Sequence, residues 1–183
     1  YDNTQTDEGC DFVYPGAVTG LSSTVNWIGF GSQASAYYGN SVATAGDING
    51  DGYSDVIVGA YFYDNGESDE GAAFVYNGSS VNLSLFPSWT AESNQADAYF
   101  GTCVSSAGDV NGDGFSDVIV GSPSPSSNPQ AYIFYGGNHI DNSADVFLSS
   151  EGGAFGQSVS SAGDVNRDGY SDATHYQFAG SSE

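Results

Sequence analysis

Residues 45–59 read AGDINGDGYSDVIVG, and the chain repeats this segment twice more. It returns as AGDVNGDGFSDVIVG at residues 107–121 and as AGDVNRDGYSD at residues 162–172. Each copy places acidic or amide side chains at alternate positions, then a glycine, then one further aspartate. In the first two copies Val-Ile-Val follows at once, so an oxygen-rich loop leads into a β-branched segment that favours a strand.

Oxygen ligands at this spacing suit Ca²⁺, which takes about six to eight oxygens in proteins. Three aspartates so close in sequence also repel one another unless a cation lies between them. We predict three Ca²⁺ sites, each using the side chains of the first, third, fifth and ninth loop residues and the backbone carbonyl of the seventh. The predicted ligands are Asp47, Asn49, Asp51, Tyr53 and Asp55 in the first loop, Asp109, Asn111, Asp113, Phe115 and Asp117 in the second, and Asp164, Asn166, Asp168, Tyr170 and Asp172 in the third.

The same pattern has other interpretations. Asn, Asp and Gly are also frequent turn formers, so a single copy would fit a polar turn; three copies in one register favour the metal site. An EF-hand loop needs a glutamate at its twelfth position and flanking helices, whereas that position holds Val58, Val120 and His175. A dockerin-like loop would also lead into a helix, so we expect each loop to join two strands.

Composition narrows the class of protein. The chain has 23 acidic residues against one Lys or Arg, and a formal net charge of −22. This charge excludes nucleic-acid binding through phosphate contacts, which need basic side chains. No run of about twenty apolar residues occurs, so we predict no membrane insertion. Abundant Gly, Tyr and Phe without a long apolar stripe of helical period indicate an all-β protein with many turns.

The repeat extends well beyond the loops. A shift of 62 residues places Trp27 on Trp89 and Asp47 on Asp109, and a shift of 55 places Asp109 on Asp164. One unit contains four predicted strands: residues 38–43, 56–58, 72–76 and a weaker segment around Trp89. Short strands with continuous apolar runs are typical of propeller blades, which neighbours cover on both faces. We divide the chain into the second part of a blade (1–38), two whole blades (39–100 and 101–155) and the first part of another (156–183).

The second copy carries a family resemblance. Phe100-Gly101, the loop at residues 109–117 and Gly121-Ser122-Pro123 together resemble the FG-GAP repeat, the blade of integrin α-subunit propellers and of many bacterial extracellular proteins. The resemblance implies an all-β propeller that binds Ca²⁺ in the loop between the first two strands of each blade. The third copy departs from it, because residues 173–178 read ATHYQF where Val-Ile-Val-Gly is expected. Either this strand is an exposed edge or the tail is not the native continuation.

The partial blades leave two interpretations open. The chain is a fragment of a longer propeller, or the tail of one copy completes a blade with the head of the next by strand pairing at open edges. The second arrangement would produce a multi-chain ring or, if the rotation does not close, a fibre.

The functional expectation is binding and not catalysis. The chain lacks G-x-S-x-G, H-E-x-x-H, P-loop and G-x-G-x-x-G motifs, so we predict that it is not an enzyme; the alternative is a non-catalytic module of a larger secreted enzyme. We predict an extracellular or cell-surface Ca²⁺-binding propeller that acts in adhesion, in recognition of a protein or carbohydrate ligand, or in assembly with copies of itself. Candidate contact segments are residues 61–63, 122–128 and 138–139.

Two covalent modifications are also predicted. Asn77 and Asn82 lie in N-glycosylation sequons, which would make the protein a glycoprotein in a host that uses them. Cys10 and Cys103 either form one disulfide or remain free thiols, since sequence alone does not give their separation.

Overall fold

A computed structural model describes residues 5–124, 130–149 and 155–176. These residues form short β-strands, and they contain no helix of the length and apolarity that a membrane span requires. The strands are β1 (Cys10–Val13), β2 (Gly16–Ala17), β3 (Gly20–Leu21), β4 (Trp27–Phe30), β5 (Ser41–Gly46), β6 (Asp55–Ala60), β7 (Ala72–Tyr76), β8 (Trp89–Glu92), β9 (Cys103–Gly108), β10 (Asp117–Ser122), β11 (Gln130–Phe134), β12 (Val146–Ser149), β13 (Ser158–Gly163) and β14 (Asp172–Tyr176).

The strands assemble into propeller blades. Two sheets have four strands, in the orders β5-β6-β7-β8 and β9-β10-β11-β12, and every neighbouring pair is antiparallel. Two further sheets have two strands each, β1-β4 and β13-β14, and β2 and β3 form a small hairpin. We call these sheets blade 1 (β1, β4), blade 2 (β5–β8), blade 3 (β9–β12) and blade 4 (β13, β14). The predicted all-β fold with four short antiparallel strands per blade is confirmed.

Burial explains why the second strand of a blade reads as a continuous apolar run. Ile57 and Val58 in β6 point to opposite faces, and both are fully buried. Val118, Ile119 and Val120 in β10 are equally buried. A half-exposed strand would alternate apolar and polar residues, whereas a strand covered on both faces by adjacent blades does not.

Adjacent blades are joined through their first and fourth strands. Strand β9 packs between β5 and β13, so the first strands of blades 2, 3 and 4 lie side by side. At the outer end, Trp27 Nε1–H donates to the Ser84 carbonyl oxygen (3.0 Å) and Trp89 Nε1–H to the Asp141 carbonyl oxygen (2.7 Å). In blades 1 and 2 a tryptophan thus ties the fourth strand to the next blade.

One sequence-based expectation needs correction at the strand level, and one open alternative is matched by the structure. The first strand of blade 2 runs over Ser41–Gly46 and not over residues 38–43. Gly39 adopts φ +82° and its N–H donates to the Gly59 carbonyl oxygen, so residues 38–40 form the turn that enters the strand. In the third copy a strand does follow the loop: β14 pairs with β13, and Thr174 and His175 are exposed. This matches the exposed-edge interpretation; residues 177 and 178 lie outside the described part.

The disulfide alternative is not what the structure contains. Cys10 and Cys103 are both free. Cys10 lies in blade 1 and Cys103 in blade 3, with blade 2 between them. The Cys103 thiol instead contacts blade 4, where Sγ accepts a hydrogen bond from the Val159 N–H (3.4 Å).

Candidate metal centres

Hydrogen bonds between side chains and backbone N–H groups of the same loop hold the loop between β5 and β6 in a tight turn. Asp47 accepts bonds from the backbone N–H groups of Asp51 (3.0 Å) and Gly52 (2.9 Å). Asn49 Oδ1 accepts a bond from the Asp51 N–H (2.9 Å), and its Nδ2 donates to Asp51 Oδ2 (3.1 Å). Gly52 has φ +87°, a conformation that glycine adopts without a Cβ clash. The oxygens of the first, third and fifth loop residues are therefore gathered around one turn of backbone.

The second and third loops repeat this geometry. The fifth-residue N–H donates to Asp109 Oδ1 in one loop and to Asp164 Oδ1 in the other, at 3.1 Å in both. The third-residue amide donates to the fifth-residue carboxylate at 2.8 Å in both. The same local sequence thus produces the same local structure three times.

The ninth residue of the first and second loops has a second role that the sequence analysis missed. Asp55 is fully buried; its Oδ2 accepts a bond from the Ile48 N–H (3.0 Å) and its Oδ1 from the Gly78 N–H (2.8 Å). Asp117 is buried in the same way, and Gly136 N–H donates to its Oδ1 (2.8 Å). The ninth aspartate therefore ties the loop to the segment that follows the third strand of the blade.

Burial also changes the acidity of these two carboxyls. Desolvation raises the pKa of Asp55 and raises the pKa of Asp117 to about 6, while the backbone N–H donors act in the opposite direction. Repulsion from the first and fifth aspartates of the same loop contributes a smaller rise in both cases. The charges of the first and fifth aspartates thus disfavour the charged form of the ninth aspartate of the same loop.

The loop residues fit a calcium ion by their chemistry. Within residues 5–124, 130–149 and 155–176, no three His, Cys, Asp or Glu side chains converge as they do around a bound metal. Each loop nevertheless supplies only oxygen donors, which hard cations prefer. A carboxylate offers about four lone-pair positions, so those that accept N–H bonds keep capacity for a cation. The ligand roles of the fifteen residues named above, including the seventh-residue carbonyls, stay predictions.

Successive loops stack on one another, which the sequence analysis also missed. A Cβ placed on Gly50 would lie 2.5 Å from Phe115 Cε1, and one on Gly112 would lie 2.5 Å from Tyr170 Cε1. Ser116 N–H donates to the Asp47 carbonyl oxygen (3.0 Å). The same hydrogen bond recurs between the third and second loops. The seventh-residue aromatic ring thus covers the fourth residue of the preceding loop. The sequence features that could have predicted this stacking are the glycine at position four of one loop and the aromatic residue at position seven of the next.

Aromatic side chains collect at the opposite end of the blades. The ring of Tyr61 lies 5.6 Å from Tyr37 and 4.3 Å from Phe62, and Phe62 lies 5.3 Å from Tyr99 between ring centroids. We call these four residues the aromatic cluster. Tyr37 is exposed, and the other three rings are half-buried. The acidic segment at residues 64–70 follows directly in sequence, so aromatic faces and negative charge occur together, a combination that attracts cations.

The remaining candidate segments have mixed surroundings. Asn138 and His139 are exposed, whereas Ser122 and Ser124 are buried and residues 125–129 lie outside the described part.

The two sequon asparagines make side-chain hydrogen bonds. Asn82 Nδ2 donates to the Asn26 carbonyl oxygen (2.7 Å), and Asn77 Oδ1 accepts a bond from Ser88 Oγ. Both sequon asparagines are half-buried. Glycosylation at either stays a prediction.

Comparison with known families follows the repeats. A family model described as the FG-GAP repeat matches residues 38–76, and one described as an FG-GAP-like repeat matches residues 109–173. Together the two matches cover more than half of the chain and all three loops.

The chain is also similar to integrin alpha chains. It is 33% identical to integrin alpha-3 of Cricetulus griseus over 155 residues, which cover 78% of this chain and 14% of the relative. It is 33% identical to integrin alpha-IIb of Homo sapiens over 157 residues, covering 78% and 15%, and 38% identical to integrin alpha-PS2 of Drosophila melanogaster over 120 residues, covering 58% and 8%. The chain therefore spans a small part of the length of these relatives.

Proposed function

This chain belongs to the FG-GAP repeat family, and we propose that it is a calcium-stabilised β-propeller module of an extracellular adhesion protein. Its likeness to integrin alpha chains supports a propeller module of the adhesion type. The observation that carries the proposal is the threefold repetition of one hydrogen-bonded loop geometry with one set of oxygen donors.

Calcium has a structural role in this proposal. The side chains of the first, third, fifth and ninth loop residues hold the ion together with the seventh-residue carbonyl. The bound cation offsets the mutual repulsion of the loop aspartates in a chain of net charge −22. Site affinities of about 10⁻⁴–10⁻³ M are expected, the range of extracellular calcium modules. Because successive loops are in contact, an ion in one loop also supports the next.

The aromatic cluster is the proposed ligand-binding region. It lies at the end of the blades opposite the calcium loops, where Tyr61 and Phe62 follow β6 and Tyr99 precedes β9. Tyr37 and Tyr99 have φ +52° and +54°, a backbone strain that is common at binding sites. Exposed ring faces beside acidic residues favour a protein ligand that presents Lys or Arg.

Terbium luminescence tests the calcium sites loop by loop. Tb³⁺ is a stand-in for Ca²⁺, and tyrosine excites it only at short range. The seventh residue is tyrosine in the first and third loops and phenylalanine in the second. We expect sensitised Tb³⁺ emission, and CaCl₂ at about 10⁻⁴–10⁻³ M should displace the Tb³⁺. Tyr53→Phe and Tyr170→Phe should each reduce the emission, and Phe115→Tyr should increase it.

The matched control is Tyr63→Phe, which removes a tyrosine at the other end of blade 2. It should leave the emission unchanged. Emission that survives Asp51→Ala, Asp113→Ala and Asp168→Ala in one chain would show that Tb³⁺ binds elsewhere and would contradict the proposed sites.

A further inference from the structure

We propose that Asn65, in the loop between β6 and β7, is a site of covalent modification by deamidation. The backbone nitrogen of Gly66 displaces the side-chain amide as ammonia, and residue 65 becomes aspartate or isoaspartate. The reaction needs water and no metal ion, so its failure would leave the proposed calcium sites untouched.

The chemistry is that of an asparagine followed by a glycine. The Gly66 N–H loses its proton to solvent, and the nitrogen attacks Asn65 Cγ to form a succinimide ring. The Cγ–Nδ2 bond breaks, and Nδ2 takes up a proton from solvent and leaves as ammonia. Water then opens the ring at Cγ, which gives aspartate, or at the backbone carbonyl, which gives isoaspartate. Glycine favours the attack because it has no Cβ beside the nitrogen.

The sequence contains several pairs in which this ring can form. Four are Asn-Gly pairs, and three are Asp-Gly pairs, in which a carboxyl group reacts in place of the amide. The Asn-Gly pairs begin at Asn49, Asn65, Asn77 and Asn111, and the Asp-Gly pairs at Asp51, Asp113 and Asp168. The local sequence alone does not distinguish the four asparagines, whereas their surroundings in the fold do.

Aspartate side chains hold the glycine N–H in two of the Asn-Gly pairs. The Gly78 N–H donates to the buried Asp55 Oδ1 (2.8 Å), and the Gly112 N–H donates to Asp109 Oδ1 (2.6 Å). Hydrogen bonds to a charged acceptor are stronger than those to a neutral one. Each bond must break before the nitrogen can turn toward the preceding side chain, so Asn77 and Asn111 are protected.

The three Asp-Gly pairs are protected in the same way. Each glycine N–H donates to the first aspartate of its own loop: Gly52 to Asp47 (2.9 Å), Gly114 to Asp109 (2.9 Å) and Gly169 to Asp164 (3.0 Å). The hydrogen bonds that shape the aspartate loops therefore also keep the backbone nitrogens away from the neighbouring carboxyl groups.

Asn49 is protected by packing and by its own side-chain bonds. The Phe115 ring lies over Gly50, where an added Cβ would come within 2.5 Å of Cε1. Asn49 Oδ1 accepts a bond from the Asp51 N–H (2.9 Å), and Asn49 Nδ2 donates to Asp51 Oδ2 (3.1 Å). The amide must give up both bonds before Cγ can approach the Gly50 nitrogen.

Gly66 has neither kind of protection within the part of the chain that the structure describes. Asn65 and Gly66 are both exposed, and a Cβ added to Gly66 would meet no atom within 4 Å. No acceptor among the described residues takes a hydrogen bond from the Gly66 N–H. The fold therefore leaves Asn65 as the most reactive of the four asparagines.

Deamidation would loosen the loop that carries Asn65. Asn65 Nδ2 donates to both oxygens of Glu92 in β8 (3.1 and 2.9 Å), and a carboxylate in its place would repel Glu92. The buried Glu70 accepts bonds from the N–H groups of Asn65 and Glu67. Isoaspartate adds one carbon to the backbone between these two donors, so we expect faster amide hydrogen exchange in residues 65–70 after the reaction.

Peptide mapping by mass spectrometry of the full chain tests the site. The folded protein is incubated with CaCl₂ at mildly alkaline pH in H₂¹⁸O and then digested with chymotrypsin. We expect deamidation at Asn65 to be at least tenfold faster than at Asn77 or Asn111 and at least threefold faster than at Asn49, with one ¹⁸O taken up. Labelling by an isoaspartyl methyltransferase should identify the isoaspartate product. In guanidinium chloride with EDTA the four rates should differ by less than threefold, because the protecting contacts are then lost.

A pair of glycine substitutions tests the attacking nitrogen. Gly66→Ala places a Cβ beside it and should slow deamidation at Asn65 at least tenfold. Gly20→Ala is the matched control: Gly20 is also an exposed glycine with positive φ (+111°) and open space around it. It should change the rate at Asn65 less than threefold.

Four results would overturn the proposal. The first is a folded chain in which Asn65 reacts no faster than Asn77 or Asn111. The second is an order of rates that persists in guanidinium chloride, since the fold would then not be its cause. The third is a rate at Asn65 that Gly66→Ala leaves unchanged, and the fourth is a reaction without ¹⁸O uptake.

Discussion

The ring of Phe115 lies directly over Gly50, so that a side chain at residue 50 would have no room. The two residues belong to consecutive loops, at position seven of one and position four of the other. Tyr170 and Gly112 repeat the contact. The third loop has Arg167 at position four, with φ +62°, and no loop of the described residues stacks on it.

Gly50→Ala should destabilise the protein through this contact. The new Cβ would meet the Phe115 ring, and the residue has φ +75°, which costs a non-glycine residue about 1–3 kcal/mol. We expect a loss of about 2 kcal/mol in the free energy of unfolding, measured by urea denaturation. The matched control is Arg167→Gly, for which we expect a change of less than about 1 kcal/mol. Equal effects of the two substitutions would contradict the stacking.

Substitutions of Asp117 and Asp113 should distinguish the structural role of the second loop from its metal-binding role. Asp117→Ala leaves two backbone N–H groups without their acceptor, so we expect a loss of about 1–3 kcal/mol in unfolding free energy in EDTA. Asp113 is exposed, and Asp113→Ala should change stability in EDTA by less than about 1 kcal/mol. In calcium both variants should lose the binding contribution of the second loop. An Asp117→Ala variant as stable as the wild type in EDTA would refute its structural role.

Asp11 should make stability depend on pH. Its carboxyl is buried, and Oδ2 has no hydrogen-bond partner among the residues that the structure describes. Burial raises the pKa of Asp11, while the bond from the Phe12 N–H lowers it. A raised pKa in the folded state gives stability that is present below the unfolded-state pKa and is lost as the pH rises through the folded-state pKa. We therefore expect Asp11→Asn to be more stable than the wild type at pH 7.

That advantage should shrink as the pH falls, because the wild-type carboxyl then becomes neutral. Thermal unfolding of both proteins across the acidic range checks the trend. The difference between the two proteins isolates Asp11 from the other 22 acidic residues. A stability difference between the two proteins that stays constant at all pH values would contradict the raised pKa of Asp11.

Tyr38 and Tyr76 should show non-additive effects. Their hydroxyls are hydrogen-bonded to each other (2.9 Å) at the contact between blades 1 and 2, and both residues are buried. The corresponding pair between blades 2 and 3 is Phe100 and Phe134. Either single Tyr→Phe change leaves one buried hydroxyl unpaired and should cost about 1–2 kcal/mol. The double variant should cost less than the sum, as chemical denaturation of a double-mutant cycle would measure.

Much of the fold could be predicted because the sequence repeats. The loop pattern fixed the position of the hairpins, and the apolar run at residues 56–58 indicated a strand covered on both faces. The position of Trp89 in the fourth strand was also predictable. The start of β5 was not, because the positive φ of Gly39 depends on its bond to Gly59 in the neighbouring strand.

The unpredicted features all involve contacts between blades or between distant parts of one blade. A sequence shows that residue 50 is glycine and residue 115 aromatic, but only stacked blades bring them together. In the same way, Asp55 reads as a ligand in its own loop, whereas its bond to the Gly78 N–H connects it to a segment on the far side of the third strand. Local patterns predict local geometry, and the packing of repeats adds a second role to the same residues.

Differential scanning calorimetry of the chain in EDTA and in calcium tests the central claim that the three aspartate loops bind calcium and stabilise the blades. At about 5 mM CaCl₂, roughly ten times the expected site Kd, each site should add about 1.4 kcal/mol. Three sites should together raise Tm by roughly 10 °C. The same Tm in both conditions would contradict the account.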